Sequence, residues 1–133
     1  MHKVMALDIG TKRIGIALSD YLQMIAIPHS FIMRQPEKSA VDEIYKIAKE
    51  NNVEKIVVGL PKNMDDSIGF QAQDCMNFSQ KILGFDIIFE DERLTSEEAE
   101  TRLRSRKVDF RKNKGLVDME SAAVILEQYL SRK

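Results

Sequence analysis

Three acidic positions are spaced so that they could act together: Asp8, the Asp91-Glu92 pair and Asp118. Asp8 follows the apolar run Val4 to Leu7, and Asp91 and Glu92 follow Ile87, Ile88 and Phe89, so both sets stand at strand exits. Strand alternation points only one of Asp91 and Glu92 to a given face. Asp118 lies four residues before Ala122 and seven before Ile125, on the apolar stripe of a helix. Taken singly, each has an ordinary explanation. Asp8 can serve as a turn Asx, the strand-exit pair can be solvated, and Asp118 can cap a helix N-terminus. Taken together, three clustered carboxylates with no basic residue between them repel one another and raise at least one pKa. A divalent cation relieves that conflict, and oxygen-only ligation suits Mg²⁺ or Mn²⁺ and disfavours zinc. Such a site is suited to phosphodiester hydrolysis, in which one ion activates water and another stabilises the leaving oxygen.

Residues suited to phosphate stand nearby. Asp8-Ile9-Gly10-Thr11 continues into Lys12 and Arg13, a turn that can cradle a phosphate, although D-x-G-T alone is a short signal. Gly59-Leu60-Pro61-Lys62-Asn63 ends an apolar strand; its glycine permits close backbone approach and Lys62 can reach a phosphate. Arg104, Arg106, Lys107, Arg111, Lys112 and Lys114 form a basic run relieved only by Asp109 and ending just before Asp118. A solvated loop is the commonplace reading of such a run. Backbone-directed, salt-sensitive nucleic-acid binding is the functional one.

The elements that must position these groups are legible from periodicity. Lys3 to Asp8 alternates, with Val4, Ala6 and Asp8 on one face and Met5, Leu7 and Ile9 on the other. After a turn, Arg13 to Ser19 alternates again, Ile14, Ile16 and Leu18 opposing the small Gly15, Ala17 and Ser19. Strands joined this tightly are antiparallel, and a weaker strand from Ile25 to Met33 completes a meander. From Ser39 the spacing of Val41, Ile44, Tyr45 and Ala48 predicts a helix ending near Asn51-Asn52. Lys55 to Leu60 predicts a strand buried on both faces, and Pro61 to Gly69 a loop. Ala72, Cys75, Met76, Ser79 and Leu83 predict a second helix stopped by Gly84, followed by a strand from Asp86 to Phe89. Thr95 and Glu98 make a capping box for a third helix over Ser96 to Ser105. Ala122, Ile125, Leu126, Tyr129 and Leu130 mark a last one. The order β-β-β-α-β-α-β-α-α implies a mixed sheet covered by helices, with sites beyond the carboxyl ends of its parallel strands.

Size and composition bound the rest. The 133 residues carry 20 Lys+Arg against 21 Asp+Glu, a formal charge of −1, so any nucleic-acid binding must rest on local charge. That length suits one domain over 1–133, and 44% hydrophobic with 31% charged residues excludes disordered, collagenous and disulfide-rich classes. No secretory leader or membrane span is legible, which predicts a cytoplasmic domain without membrane association. The lone Cys75 forms no internal disulfide, and His2 and His29 supply no structural zinc set.

Four segments match one pattern together: Asp8 to Ala17 and on through Asp20, Gly59-Leu60-Pro61-Lys62-Asn63-Met64, Asp91-Glu92-Arg93-Leu94-Thr95, and Asp118 with Ala122-Ala123. In this the chain resembles the YqgF family, described as Holliday-junction resolvases or pre-16S rRNA nucleases and related to RuvC within the ribonuclease H-like superfamily. The resemblance covers nearly the whole chain in order. It implies an α/β, ribonuclease H-like five-stranded mixed sheet, three antiparallel strands then two parallel, with helices on both faces. It also implies Asp8, Glu92 and Asp118 as the acidic metal site, the family motif favouring Glu92 over Asp91. Asp66 departs from the family's usual Gly and Ser96 from its second Thr; neither touches the carboxylates. The function implied is metal-dependent cleavage of structured nucleic acid, either precursor 16S rRNA or branched DNA, with Lys12, Arg13, Lys62, Arg111, Lys112 and Lys114 along the substrate. Two other classes compete. An ATP-binding protein of the actin and sugar-kinase group also carries D-x-G-T after a strand but needs a second domain of this kind. A non-catalytic nucleic-acid module would keep the fold and use its acids as caps.

Overall fold

The computed structural model describes residues 1–61, 68–92, 95–109 and 111–132; the side chains of Thr95 and Ser96 lie outside that description. The chain runs β1 (Lys3–Ile9), β2 (Arg13–Ser19), β3 (Ala26–Met33), α1 (Glu37–Glu50), β4 (Val53–Leu60), α2 (Phe70–Ser79), β5 (Asp86–Asp91), α3 (Thr95–Ser105) and α4 (Lys114–Ser131). The sheet order is β3-β2-β1-β4-β5. β1 is antiparallel to β2 and β2 to β3, whereas β4 runs parallel to β1 and β5 parallel to β4. This is the expected mixed five-stranded sheet of the ribonuclease H-like class.

Alternation sends each strand's two sets of side chains to different layers. Met5, Leu7, Ile14, Ile16, Ile56 and Val58 pack against Ile44 and Ala48 of α1 and Ala72 and Phe78 of α2. Val4, Ala6, Ala17 and Val57 pack against Ala122, Ala123, Ile125 and Leu126 of α4, and α3 rests on α4. Helices therefore cover both faces. None of the described helices is long and apolar enough to cross a membrane.

The structure moves several expected boundaries. α1 begins at Glu37, two residues before Ser39, and β4 begins at Val53. α2 ends at Ser79, so Leu83 is exposed and Ile82 takes the buried place in the turns before Gly84. Helical spacing could not distinguish a last helical turn from the looser turns that follow it. α4 begins at Lys114, earlier than its apolar residues indicate, because its first turn crosses the sheet edge instead of the core. The Thr95 capping side chain, Lys62 and Asp66 fall outside the described residues.

Candidate active site

Asp8 lies inside β1, one residue before its end, opposite Gly15 of β2. It shares a face with Val4 and Ala6, so it looks toward α4. Gly15 decides what it meets there. A Cβ on Gly15 would overlap the Asp118 backbone carbonyl, so α4 presses its second turn onto the strand where only hydrogen can fit. The smallest residue in β2 thus brings Asp118 over the cross-strand partner of Asp8.

Glu92 arrives from the other side. β5 ends at Asp91, but the Glu92 amide still donates to the Leu60 carbonyl at 2.9 Å, carrying the pairing one residue further. Gly59 pairs with Glu90, and a Cβ on Gly59 would stand 2.7 Å from Glu92 Oε2 and 2.6 Å from Ile125 Cδ1. Ile88, Glu90 and Glu92 therefore share the α4 face, and Asp91 is on the opposite one, exposed. Two glycines, one on each side of β1's acid, leave the room that two other acids use.

Asp8 and Glu92 line one cavity of about 300 Å³ with Gly10, Thr11, Asp74 and Cys75. Burial pushes the Asp8 carboxyl well above its ordinary value, and the negative charges of Glu92 and then Asp118 add to the rise. Burial pushes Glu92 up to about 7. Cys75 donates to the Ile9 carbonyl, and burial raises its thiol to about 12, which leaves no thiolate chemistry beside the acids.

Asp118 is held differently. Arg13 Nε donates to its Oδ2 at 2.7 Å. This overturns the expectation that no basic residue stands among the three carboxylates. It also overturns the capping alternative: Asn113 is the N-cap position of α4, and Asp118 is a full turn inside. With Asp118 turned to Arg13, no three His, Cys, Asp or Glu side chains among the described residues stand together as ligands to one ion. The Asp8–Glu92 pair still suits a hard divalent cation: its donors are all oxygen, and its like charges are held together where solvent screens them poorly.

The basic residues fall into two groups. Arg13, Arg111 and Lys114 line a cavity of about 510 Å³ whose wall includes Asp118, and Lys12 is exposed at the β1–β2 turn. Lys112 and Lys114 form no ion pair among the described residues, and Arg111 only a loose one with Asp109 at 3.7 Å. Arg106, by contrast, pairs with buried Glu120 of α4, so its charge is already engaged.

Sequence reasoning missed Arg34. Only 6% exposed, it donates to both carboxylate oxygens of Asp74 at 2.7 and 2.8 Å, to Glu37 at 3.0 Å and to the Gly10 carbonyl at 3.1 Å. It ties the turn after Asp8 to α1 and α2. The Arg34 hydrogen bonds hold the Asp74 carboxyl below its usual range, so this fourth acid stays ionised and already paired beside the Asp8 cavity. Neither residue belongs to a periodic pattern, and nothing in their spacing joins positions 34 and 74.

Comparison with known proteins bears on this arrangement. The sequence profile of a family described as "RuvX: Holliday junction resolvase" matches residues 2–132. A protein of Crocosphaera subtropica is 43% identical over 132 residues, covering 97% of this chain and 92% of its own length. One of Bacillus cereus is 38% identical over 136 residues, covering 98% and 99%. Both carry the name "Putative pre-16S rRNA nuclease". Among solved structures, T. thermophilus RuvC in complex with a Holliday junction substrate superposes with a TM-score of 0.59 at 11% identity, over 98% of this chain and 94% of that one. Fowlpox virus resolvase in complex with junction DNA gives 0.60 at 10%, over 98% and 97%. At such identities the likeness is one of fold.

Proposed function

The chain belongs to the RuvX family, the YqgF family of the sequence resemblance, and on that premise we propose that it is a divalent-metal-dependent endonuclease acting on structured nucleic acid, its substrate precursor 16S rRNA trimmed at the 5′ end. The observation that carries this reading is the buried pair of Asp8 and Glu92 at the ends of β1 and β5, with Asp118 of α4 close enough for its charge to act on Asp8, beside a groove rimmed by Arg13, Arg111 and Lys114. Asp8 and Glu92 would hold Mg²⁺ or Mn²⁺, with Asp118 available once its carboxylate exchanges Arg13 for a cation. When bound, the ion supplies Lewis acidity and an activated water at neutral pH.

The chain's own residues do the remaining work. Arg34 fixes the Gly10 carbonyl and with it the turn that follows Asp8. Lys12, Arg111, Lys112 and Lys114 neutralise phosphates and orient the strand without reading its sequence, and Lys62 is assigned to the same path from sequence alone. Arg13 holds the Asp118 carboxylate in place while the site awaits substrate.

Precursor rRNA is favoured over branched DNA because relatives at 38–43% identity over nearly the full chain carry the rRNA name. The description of the matching family favours the second reading, junction resolution. A cleavage panel with Mg²⁺ or Mn²⁺ decides between them: precursor 16S rRNA, single-stranded RNA and four-way DNA junctions, each against Asp8→Asn. Metal-dependent cutting of the rRNA, lost in the variant, supports the proposal. Cutting confined to junctions transfers it to DNA, and tight binding with no cutting under either metal makes the chain a non-catalytic module.

A further inference from the structure

Phe31 is a large aromatic on the edge strand, 43% exposed, and the basic groove forms around it. Its position follows from register. Asp8 pairs with Gly15 and Gly15 with Phe31, so the three lie in one row across β1, β2 and β3 on the α4 face. Two strand spacings put Phe31 about 10 Å from Asp8 along that row. A Cβ on Gly115 would run into Cδ1, Cε1 and Cζ of the ring, so the ring rests on the bare first turn of α4. The ring also lines a cavity of about 490 Å³ with Arg13, Arg111, Lys112 and Lys114.

An apolar ring in the core would need no cations, and a phosphate-binding loop would need no ring. Four cations around a partly open aromatic face match the two parts of a nucleotide, its phosphate and its base. A base inside a duplex already has neighbours on both faces, so only an unpaired one can use such a platform. We propose that Phe31 is a stacking platform for an unpaired nucleobase, and that the groove takes a single-stranded segment flanking the scissile bond. This rests on the nucleic-acid reading above and narrows its substrate class. Arg13 links the two sites, lining the groove while bonded to Asp118.

The test uses the full chain, without divalent metal so that nothing is cut, and a labelled mixed-sequence RNA offered single-stranded or as a blunt duplex. Phe31→Leu keeps an apolar contact on Gly115 but removes the planar face. It is expected to weaken single-strand binding by about five- to a hundredfold, with duplex affinity and the salt slope unchanged. The sequence has no tryptophan, so Phe31→Trp restores a ring and adds the only indole. Its affinity should match wild type, and its emission should be quenched by single-stranded RNA but not by the duplex. Wild-type affinity in Phe31→Leu, or Trp emission unmoved at saturation, would overturn the platform and leave Phe31 as packing for α4. Wild-type protein binding neither RNA would remove the nucleic-acid reading itself, and the platform with it.

Discussion

The sheet face beneath α1 and α2 is filled by Met5, Leu7, Ile14, Ile16, Ile56 and Val58. The face beneath α4 has Gly15, Ala17 and Gly59 at comparable positions, opposed by Ala122 and Ala123. Large branched residues hold a helix at ordinary distance and gain stability from buried area. Small ones let a helix close onto the strands and carry its polar groups to the sheet, giving up buried area to do so. Buried Glu90 of β5 is paired with Arg132 on this side, and buried Glu120 of α4 with Arg106. One face is built for stability; the other spends stability on placing charge.

Substitutions should separate the two faces. The largest effect is expected from Asp8→Asn, which should nearly abolish cleavage while keeping the fold, because it removes a negative charge from the proposed cation site and preserves shape. On the opposite face, Ile44→Ala should cost about 2–5 kcal/mol in denaturant unfolding, with activity per folded molecule unchanged. Gly15→Ala should cost about 1–3 kcal/mol through overpacking yet lose far more activity than Ile44→Ala, since the added carbon displaces Asp118. If Gly15→Ala and Ile44→Ala lose activity only in proportion to unfolding, the faces do not differ in the way described.

The acids also predict a pH dependence of the metal-free protein. Glu92 is raised from 4.5 to about 7 and Asp8 is raised as well. The native state therefore holds these protons more tightly than the unfolded chain. For Glu92 that stabilising contribution is complete below the ordinary carboxylate pKa and is lost as the pH rises through about 7, and Asp8 acts in the same direction. Melting temperature should fall over that range in wild type and fall less in Glu92→Gln. A smaller effect distinguishes the basic rim from both faces. Neutralising Arg111, Lys112 and Lys114 together should lower the slope of log affinity against log salt by roughly two to three without moving the melting temperature.

Much of this contrast was legible in the sequence. Alternation in β1 and β2 sorted Val4, Ala6 and Asp8 from Met5, Leu7 and Ile9, and marked Gly15 and Ala17 as a small-residue face. Strand direction followed from loop length and from the β-α-β units. The side-chain partners were not legible, because each is a contact across distant positions that leaves no trace in spacing. Arg13 meets Asp118 only because α4 crosses β2 at Gly15, and Arg34 meets Asp74 only because α2 packs beside the β1–β2 turn. The choice of Glu92 over Asp91 came from the family motif. In the structure it reduces to strand phase: Gly59 opposes Glu90, and Glu92 is two residues on.

The account stands or falls on a cation at the α4 face. Titrating Mn²⁺ at pH 8 while following melting temperature, in wild type, Asp8→Asn and Asp118→Asn, tests it without any substrate. Native-state binding raises the melting temperature by mass action. The account predicts a saturable rise in wild type, none in Asp8→Asn, and a reduced one in Asp118→Asn, which lacks the carboxylate that wild type can turn from Arg13 to the ion. Equal rises in all three proteins would contradict it, because the ion would then be bound by groups other than these acids.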